Sequence, residues 1–223
     1  AMNAHRLRTF LTMLGIIIGI ASVVSVVALG NGSQQQILQN ISSLGTNTID
    51  IYPGRGFGDM RSGRVQTLKA SDAGALAAQS YVDSATPSVS TSVTARYRNL
   101  SATASVSGVG EQFFRVKGVS LVAGSFFDAE AVKALAQVAV IDENARAQFF
   151  PDSDPIGQVI LLGNVPARVV GVAKRQSFGF GGSTSLGVWV PHTTAMSRML
   201  GQSHVSSITV RVKDDTPMDA AQE

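Results

Sequence analysis

The sequence predicts an α+β protein carried on one N-terminal membrane-crossing helix, and three observations predict it. No charged side chain lies between Arg8 and Asp50, a gap of 41 residues. The first half of that gap, Phe10 to Leu29, is a nearly unbroken apolar run. From Asn47 onward, short alternating or β-branched runs trade places with short helical ones, punctuated by Gly, Pro, Asn and Asp.

The apolar run comes first. Twenty helical residues rise about 30 Å, the thickness of a hydrocarbon core, and in lipid a helix satisfies its own backbone hydrogen bonds. His5, Arg6 and Arg8 crowd its leading end while Gly30-Asn31-Gly32-Ser33 follows it, so the leading end is expected in the cytoplasm. A basic leader with small residues at Ala28 and Gly30 also suits a cleaved signal peptide, whose apolar core usually runs only about 7–15 residues. The chain opens on Ala1, not on an initiator Met, and is read as a segment of a longer protein. Within the run, Gly15 and Gly19 form a GxxxG pattern that Ser22 roughly continues, a face on which another backbone can approach closely.

Beyond the membrane, Ser33 to Leu44 reads as a stalk helix with Ile37, Ile41 and Leu44 on one side. Folding of this side onto the domain below is the competing reading. Gly30 and Gly32 each cost a helix about 1 kcal/mol relative to alanine, so a kink is expected between span and stalk.

Asn47 to Tyr52 alternates as a strand and is followed by the glycine-rich Gly54 to Gly58. Ala70 to Tyr81 reads as a helix with Ser71 as N-cap and Asp72 in the first turn. Strands are expected at Val82 to Val89, Ser92 to Tyr97, Leu100 to Gly108, Val138 to Ile141, Val188 to Val190 and Ser206 to Val212. Gln158 to Leu162 and Val165 to Val172 flank Gly163-Asn164, a hairpin signal. Helices are expected over Glu143 to Phe150 and over Thr193 to Leu200, the latter ended by Gly201. The pairs Phe113/Phe114, Phe126/Phe127 and Phe149/Phe150 are read as core, one ring of each turned inward from a strand.

Of the 18 basic residues, Arg6 and Arg8 precede the span, leaving 16 against 15 acidic ones, a balance that argues against a nucleic-acid surface. Cysteine is absent, which excludes disulfides and thiolate chemistry. His5, His192 and His204 lack metal-ligand spacing, no Gly-Lys-Ser or Gly-Lys-Thr supports a phosphate loop, and no Gly-x-Ser-x-Gly elbow occurs. Asp152 with Asp154, and Asp214 with Asp215, sit in turn contexts and are read as caps. No catalytic, cofactor or metal site is therefore expected. Phe178 and Phe180, set among Gly179, Gly181 and Gly182, are the candidate partner contact.

Four blocks then carry a family resemblance: His5 to Ser22, Ser43-Leu44-Gly45-Thr46-Asn47, Asp154-Pro155-Ile156-Gly157-Gln158 and Val169-Val170-Gly171-Val172. Together they resemble the MacB-type ABC exporters, from end to end. The resemblance implies a first transmembrane helix (1–30), a stalk (31–46), a porter-like periplasmic α/β subdomain (47–97 and 206–223) and a second mixed α/β subdomain inserted at 98–205. It implies a homodimer in the bacterial inner membrane, in contact with lipid, a periplasmic adaptor protein and an outer-membrane channel, without nucleic acid. ATP and Mg would be used by a nucleotide-binding domain lying before Ala1, and this piece would need no cofactor. Gly15, Gly19, Ile37, Ile41 and Leu44 would then face a second helix or the other protomer. Regulators of cell-wall hydrolases, lipoprotein-release permeases and tethered sensor domains remain the alternatives.

Overall fold

The computed structural model describes residues 2–43, 47–54, 67–174 and 186–213. They fall into two compact units, one ending at Ser42 and one beginning at Ser43.

The first unit is a single helix, α1 (Met2–Ser43). It stays helical through Gly30 and Gly32, so these glycines do not divide span from stalk. Helical hydrogen bonding on both sides of the glycines outweighs the roughly 1 kcal/mol that each costs. Phe10–Gly30 is long and apolar enough to cross a membrane. Its side chains stand open, Val26 at 70% and Leu29 at 71% exposure, a continuous apolar surface that water does not tolerate.

Among the described residues the second unit has nine strands: β1 (Thr48–Ile51), β2 (Val82–Tyr97), β3 (Leu100–Val109), β4 (Leu121–Gly124), β5 (Val138–Asp142), β6 (Val159–Leu162), β7 (Val165–Ala173), β8 (Leu186–Pro191) and β9 (Ser207–Val212). Their order is β1-β9-β2-β3-β8-β5-β7-β4, with β6 paired to both β2 and β7. The path through β2, β3, β8, β5, β7 and β6 therefore closes on β2. Among the described strands only β3/β8 and β5/β7 are parallel pairs. The helices are α2 (Ala70–Ala77), α3 (Phe113–Val116), α4 (Ala129–Lys133), α5 (Glu143–Phe149) and α6 (His192–Thr194), the last running into a π-helical turn over Ala195–Leu200.

The two strands expected between Val82 and Tyr97 are one. Residues 82–88 of β2 pair with β9, and residues 88–97 pair with β3 on the other side. Pro87 falls where only the β9 ladder has formed, so its missing N–H removes no bond to β3. The expected subdomain boundary at Tyr97/Arg98 lies at the tip of the β2–β3 hairpin. Gly163, at φ 63°, opens the two-residue β6–β7 turn as its glycine-first type requires.

Helix α2 departs from expectation at both ends. Lys69, not Ser71, is the N-cap residue; the Asp72 carboxylate accepts the Lys69 backbone N–H at 2.9 Å, so the first turn is closed from inside the helix. The helix also stops at Ala77, where the chain passes into tight turns, the Gln79 N–H donating to the Leu76 carbonyl at 3.1 Å and the Val82 N–H to the Gln79 carbonyl at 3.2 Å. The ends of the sheet unit meet there too, the Asn47 carbonyl accepting the Val212 N–H at 2.8 Å.

One core gathers Phe149, Phe150, Ile141, Ile160, Leu162 and Ile208, with Tyr97 tilted on Phe150 at 4.4 Å between rings. A smaller one gathers Phe114, Phe127 and Val140, where Phe114 stacks on Phe126 at 4.0 Å and meets Trp189 edge-on. The three Phe pairs are core residues, but they reach it from α3, a loop and the end of α5, not from strands.

Candidate functional site

A cleft of about 380 Å³ opens where α2, the first half of β2, the turn before α3 and the start of α6 converge. Its wall is small and apolar: Ala70, Ala73 and Ala77 from α2, Ala85 and Pro87 from β2. Its polar groups are Asp83, Ser84, whose hydroxyl donates to Asp83 at 3.0 Å, Glu111, Gln112, Arg115 and His192.

His192 is seated by contacts that only its local sequence permits. A side chain at Gly108 of β3 would strike the Ala195 side chain and come within 2.7 Å of Val89, so glycine lets the turn after β8 lie against the sheet. The Thr193 hydroxyl donates to the Val132 carbonyl at 2.6 Å and the Thr194 hydroxyl to the Ala136 carbonyl at 2.9 Å, which fixes α6 against α4. Gly201, at φ 64°, then ends the π-helical turn, a wide geometry that recurs at functional sites. The outcome is a histidine only 8% exposed whose Nδ1 has no hydrogen-bond partner among the described residues. Such a group costs about 1–3 kcal/mol while it stays unmet. Burial pushes the imidazole below its ordinary 6.5, while the Val109 carbonyl and the Glu111 carboxylate pull the other way.

Opposite, Arg115 donates to Asp83 at 2.8 Å. The guanidinium side chain is 64% exposed, so the bridge is a solvated one worth at most about 1 kcal/mol. Gly110 holds the turn, its N–H donating to the Thr86 hydroxyl at 3.1 Å. Beyond the cleft, Asp50 accepts from both Lys117 and Thr209, tying β1 to β9 and to the end of α3.

The residues singled out from sequence lie elsewhere. Gly15 and Gly19 are on α1, where an added Cβ would meet nothing within 4 Å, and the Ser22 hydroxyl donates to the Ile18 carbonyl of its own helix at 2.7 Å. The GxxxG face is thus open. Ile37 and Ile41 fall on the last turns of α1; their side chains, and all of Leu44, Phe178, Phe180, Asp214 and Asp215, lie outside the described residues. Asp154 caps a turn, accepting the Ile156 N–H at 3.0 Å. No group of three or more potential metal ligands occurs among the described residues. Sequence reading named His192 only to set metal binding aside, and passed over Asp83, Glu111 and Arg115. With His192 they come from three stretches of the chain, Glu111 and Arg115 from the same one, and no motif links the three.

An apolar helix long enough to cross a membrane, followed by a mixed α/β unit closed around one strand path, defines a class: an extramembrane domain carried on its own anchor. The family model for the MacB-like periplasmic core domain matches residues 9–223, and the chain belongs to that family. Among curated relatives, a macrolide export ATP-binding/permease protein MacB of Vibrio parahaemolyticus is 60% identical over 223 residues, all of this chain and 34% of that protein. One of Pectobacterium atrosepticum is 60% identical over 224 residues, again all of this chain and 34% of the relative. The chain therefore spans about a third of the length of the relatives it matches. Among solved structures, the periplasmic region of MacB from Actinobacillus actinomycetemcomitans superimposes with a TM-score of 0.73 at 39% identity, covering 84% of each chain. The extracellular domain of the noncanonic ABC-type transporter YknZ shares the fold, with a TM-score of 0.63 at 19% identity over 78% of this chain and 88% of that one.

Proposed function

We propose that this chain is the transmembrane and periplasmic portion of an ABC-type exporter. In that role it couples ATP hydrolysis in a cytoplasmic domain to movement of a periplasmic substrate into an adaptor and outer-membrane channel. The observation that carries the reading is 60% identity along the whole chain to relatives named for macrolide export. By the same reading the anchor lies in the inner membrane with the Arg6 and Arg8 end in the cytoplasm, and the protein works as a homodimer. ATP and Mg act outside this piece, whose own contribution is mechanical and involves no bond chemistry.

The physical support is the continuity of α1. Asn31–Ser43 prolongs the membrane helix by thirteen residues, about 20 Å at 1.5 Å per residue. A helix without a break between span and stalk passes displacement on instead of absorbing it. Open glycines at Gly15 and Gly19 suit close packing against another helix. Ile37, Ile41 and Leu44 extend that seam, the division at 97/98 and 205/206 separates a porter-like part from an inserted one, and Phe178 with Phe180 offers the adaptor contact.

The test is export by the full-length protein, expressed with its adaptor and outer-membrane duct in cells stripped of other macrolide exporters. Resistance to a macrolide that is lost in Gly19→Leu, at unchanged protein level and membrane insertion, is the expected result. Unchanged resistance in that variant would sink the role given to the glycine face. No export by the unaltered protein would move the reading to hydrolase regulation or lipoprotein release.

A further inference from the structure

On the outer face of β6, exposed apolar side chains and unpaired cations lie side by side, an arrangement that stands independently of the export reading. We propose that this face, with the β2–β3 hairpin tip beside it, docks an acidic segment of a partner protein. An apolar side chain of that segment lies on Val159 and Leu161, and its carboxylates meet Arg96, Arg98 and Arg168.

Three observations converge on this partner. The first is the apolar pair. Val159 is 53% and Leu161 43% exposed, and they leave β6 on the same side, two residues apart. The ladders set what flanks them: Leu161 lies between Arg96 of β2 and Pro166 of β7, and Val159 lies opposite Arg168. Arg96, Pro166 and Arg168 are exposed as well. The second is charge. Residues 84–110 and 155–173, which hold β3, β6, β7 and most of β2, contain no Asp or Glu, and their only cations are Arg96, Arg98 and Arg168. None of the three joins an ion pair among the described residues. A carboxylate approaching this face meets fork-shaped donors and no acidic side chain from these strands. The third is strain. Arg98 and Asn99 form the two-residue loop between Tyr97 and Leu100, and only Arg98 has a positive φ, 52°. Gly163 fills the same position in the β6–β7 turn, and that position belongs to glycine. An arginine held there works against its own backbone preference, and such outliers cluster where function uses them. Its guanidinium carbon stands 5.1 Å from the Tyr97 ring centroid, which steadies the cation at the exposed tip. Protein interfaces favour arginine over lysine, and this set holds no lysine. Attraction to a membrane surface rests on larger basic clusters, about 4–8 Lys or Arg. A purely apolar partner would cover guanidiniums without pairing them.

The test uses the full chain in detergent micelles and two rhodamine-labelled peptides, Ser-Glu-Ser-Leu-Ser-Glu-Ser and Ser-Gln-Ser-Leu-Ser-Gln-Ser, followed by fluorescence anisotropy. When extended, each presents its leucine between two long polar side chains on one face, and only the first carries carboxylates there. The expected result is saturable binding of the glutamate peptide that weakens with added salt, and binding of the glutamine peptide weaker by about tenfold or more. Arg98→Gly should weaken the glutamate peptide about tenfold while the thermal midpoint holds or rises, since glycine suits a φ of 52°. A midpoint that falls together with the affinity would mark Arg98 as structural and overturn its role. Leu161→Ser, at a side chain 43% exposed, should weaken binding at a nearly unchanged midpoint. The absence of saturable binding, equal affinity for the two peptides, or undiminished affinity in either variant would overturn the proposal. Displacement of the peptide by soluble dihexanoylphosphatidylglycerol at a lower concentration than by unlabelled peptide would give the face to lipid. Self-association of the chain that is lost in Leu161→Ser would give it to a second copy, and either result also overturns the proposal.

Discussion

His192 and Gly108 show how much one residue can decide in this fold. Because burial holds the His192 pKa below 6.5, the folded state refuses a proton that the unfolded chain accepts once pH falls under that value. Its contribution to stability is complete above pH 6.5 and is lost as pH falls toward the folded pKa, with a slope approaching about 1.4 kcal/mol per pH unit. Urea midpoints measured from pH 7.5 downward should fall in this window, and the fall should be shallower in His192→Gln. At Gly108, alanine would drive a methyl into Ala195 and Val89. Gly108→Ala should cost about 1–3 kcal/mol, read as a lower urea midpoint at unchanged slope. Neither residue announces its role in the sequence. Gly108 ends what reads as an ordinary alternating strand, and the reason for it, the turn around Ala195, is supplied by a distant stretch of chain. Asp154 was legible because its partner, the Ile156 N–H, is only two residues away.

Elements follow the same rule, with boundaries set by neighbours. The hairpin at Gly163, the strand β5 and the helix α5 stand where periodicity and turn chemistry place them. Helix α2 ends early in the tight turns at Gln79 and Val82, and β2 runs through Ser90 and Thr91 because β3 pairs with those backbones. Helix α5 depends on a residue with two duties: Asp142 accepts the Ala145 N–H at 2.7 Å as N-cap and the Gly187 N–H at 3.0 Å from β8. Asp142→Ala should remove a cap and leave a partly buried N–H unmet, a loss of about 2–4 kcal/mol by chemical denaturation. Asp142→Asn, which keeps an acceptor for the cap, should lose less.

At the scale of the whole molecule, the α+β class and the apolar anchor were readable, since both rest on local periodicity and run length. The closure of the strand path was not, because β6 meets β2 only through Ala95 with Leu162 and Arg96 with Leu161, a pairing that no local pattern encodes. Closure means that both hydrophobic cores share one set of strands: Val188 belongs to one core and Trp189, its neighbour on β8, packs on the other. The sheet unit should therefore unfold in a single step. Trp189 is the only tryptophan, so its fluorescence reports the smaller core, while strand ellipticity reports the sheet. The two thermal curves should coincide, and a separate earlier fluorescence transition would show that the cores melt independently.

The meeting of Asn47 with Val212 has a further consequence. A unit whose first and last strands finish hydrogen-bonded side by side needs only two neighbouring attachment points in whatever chain carries it, much as a cassette needs one slot. Spliced into a tight surface turn of an unrelated soluble host, the segment from Asn47 to Lys213 should leave the host's own topology undisturbed.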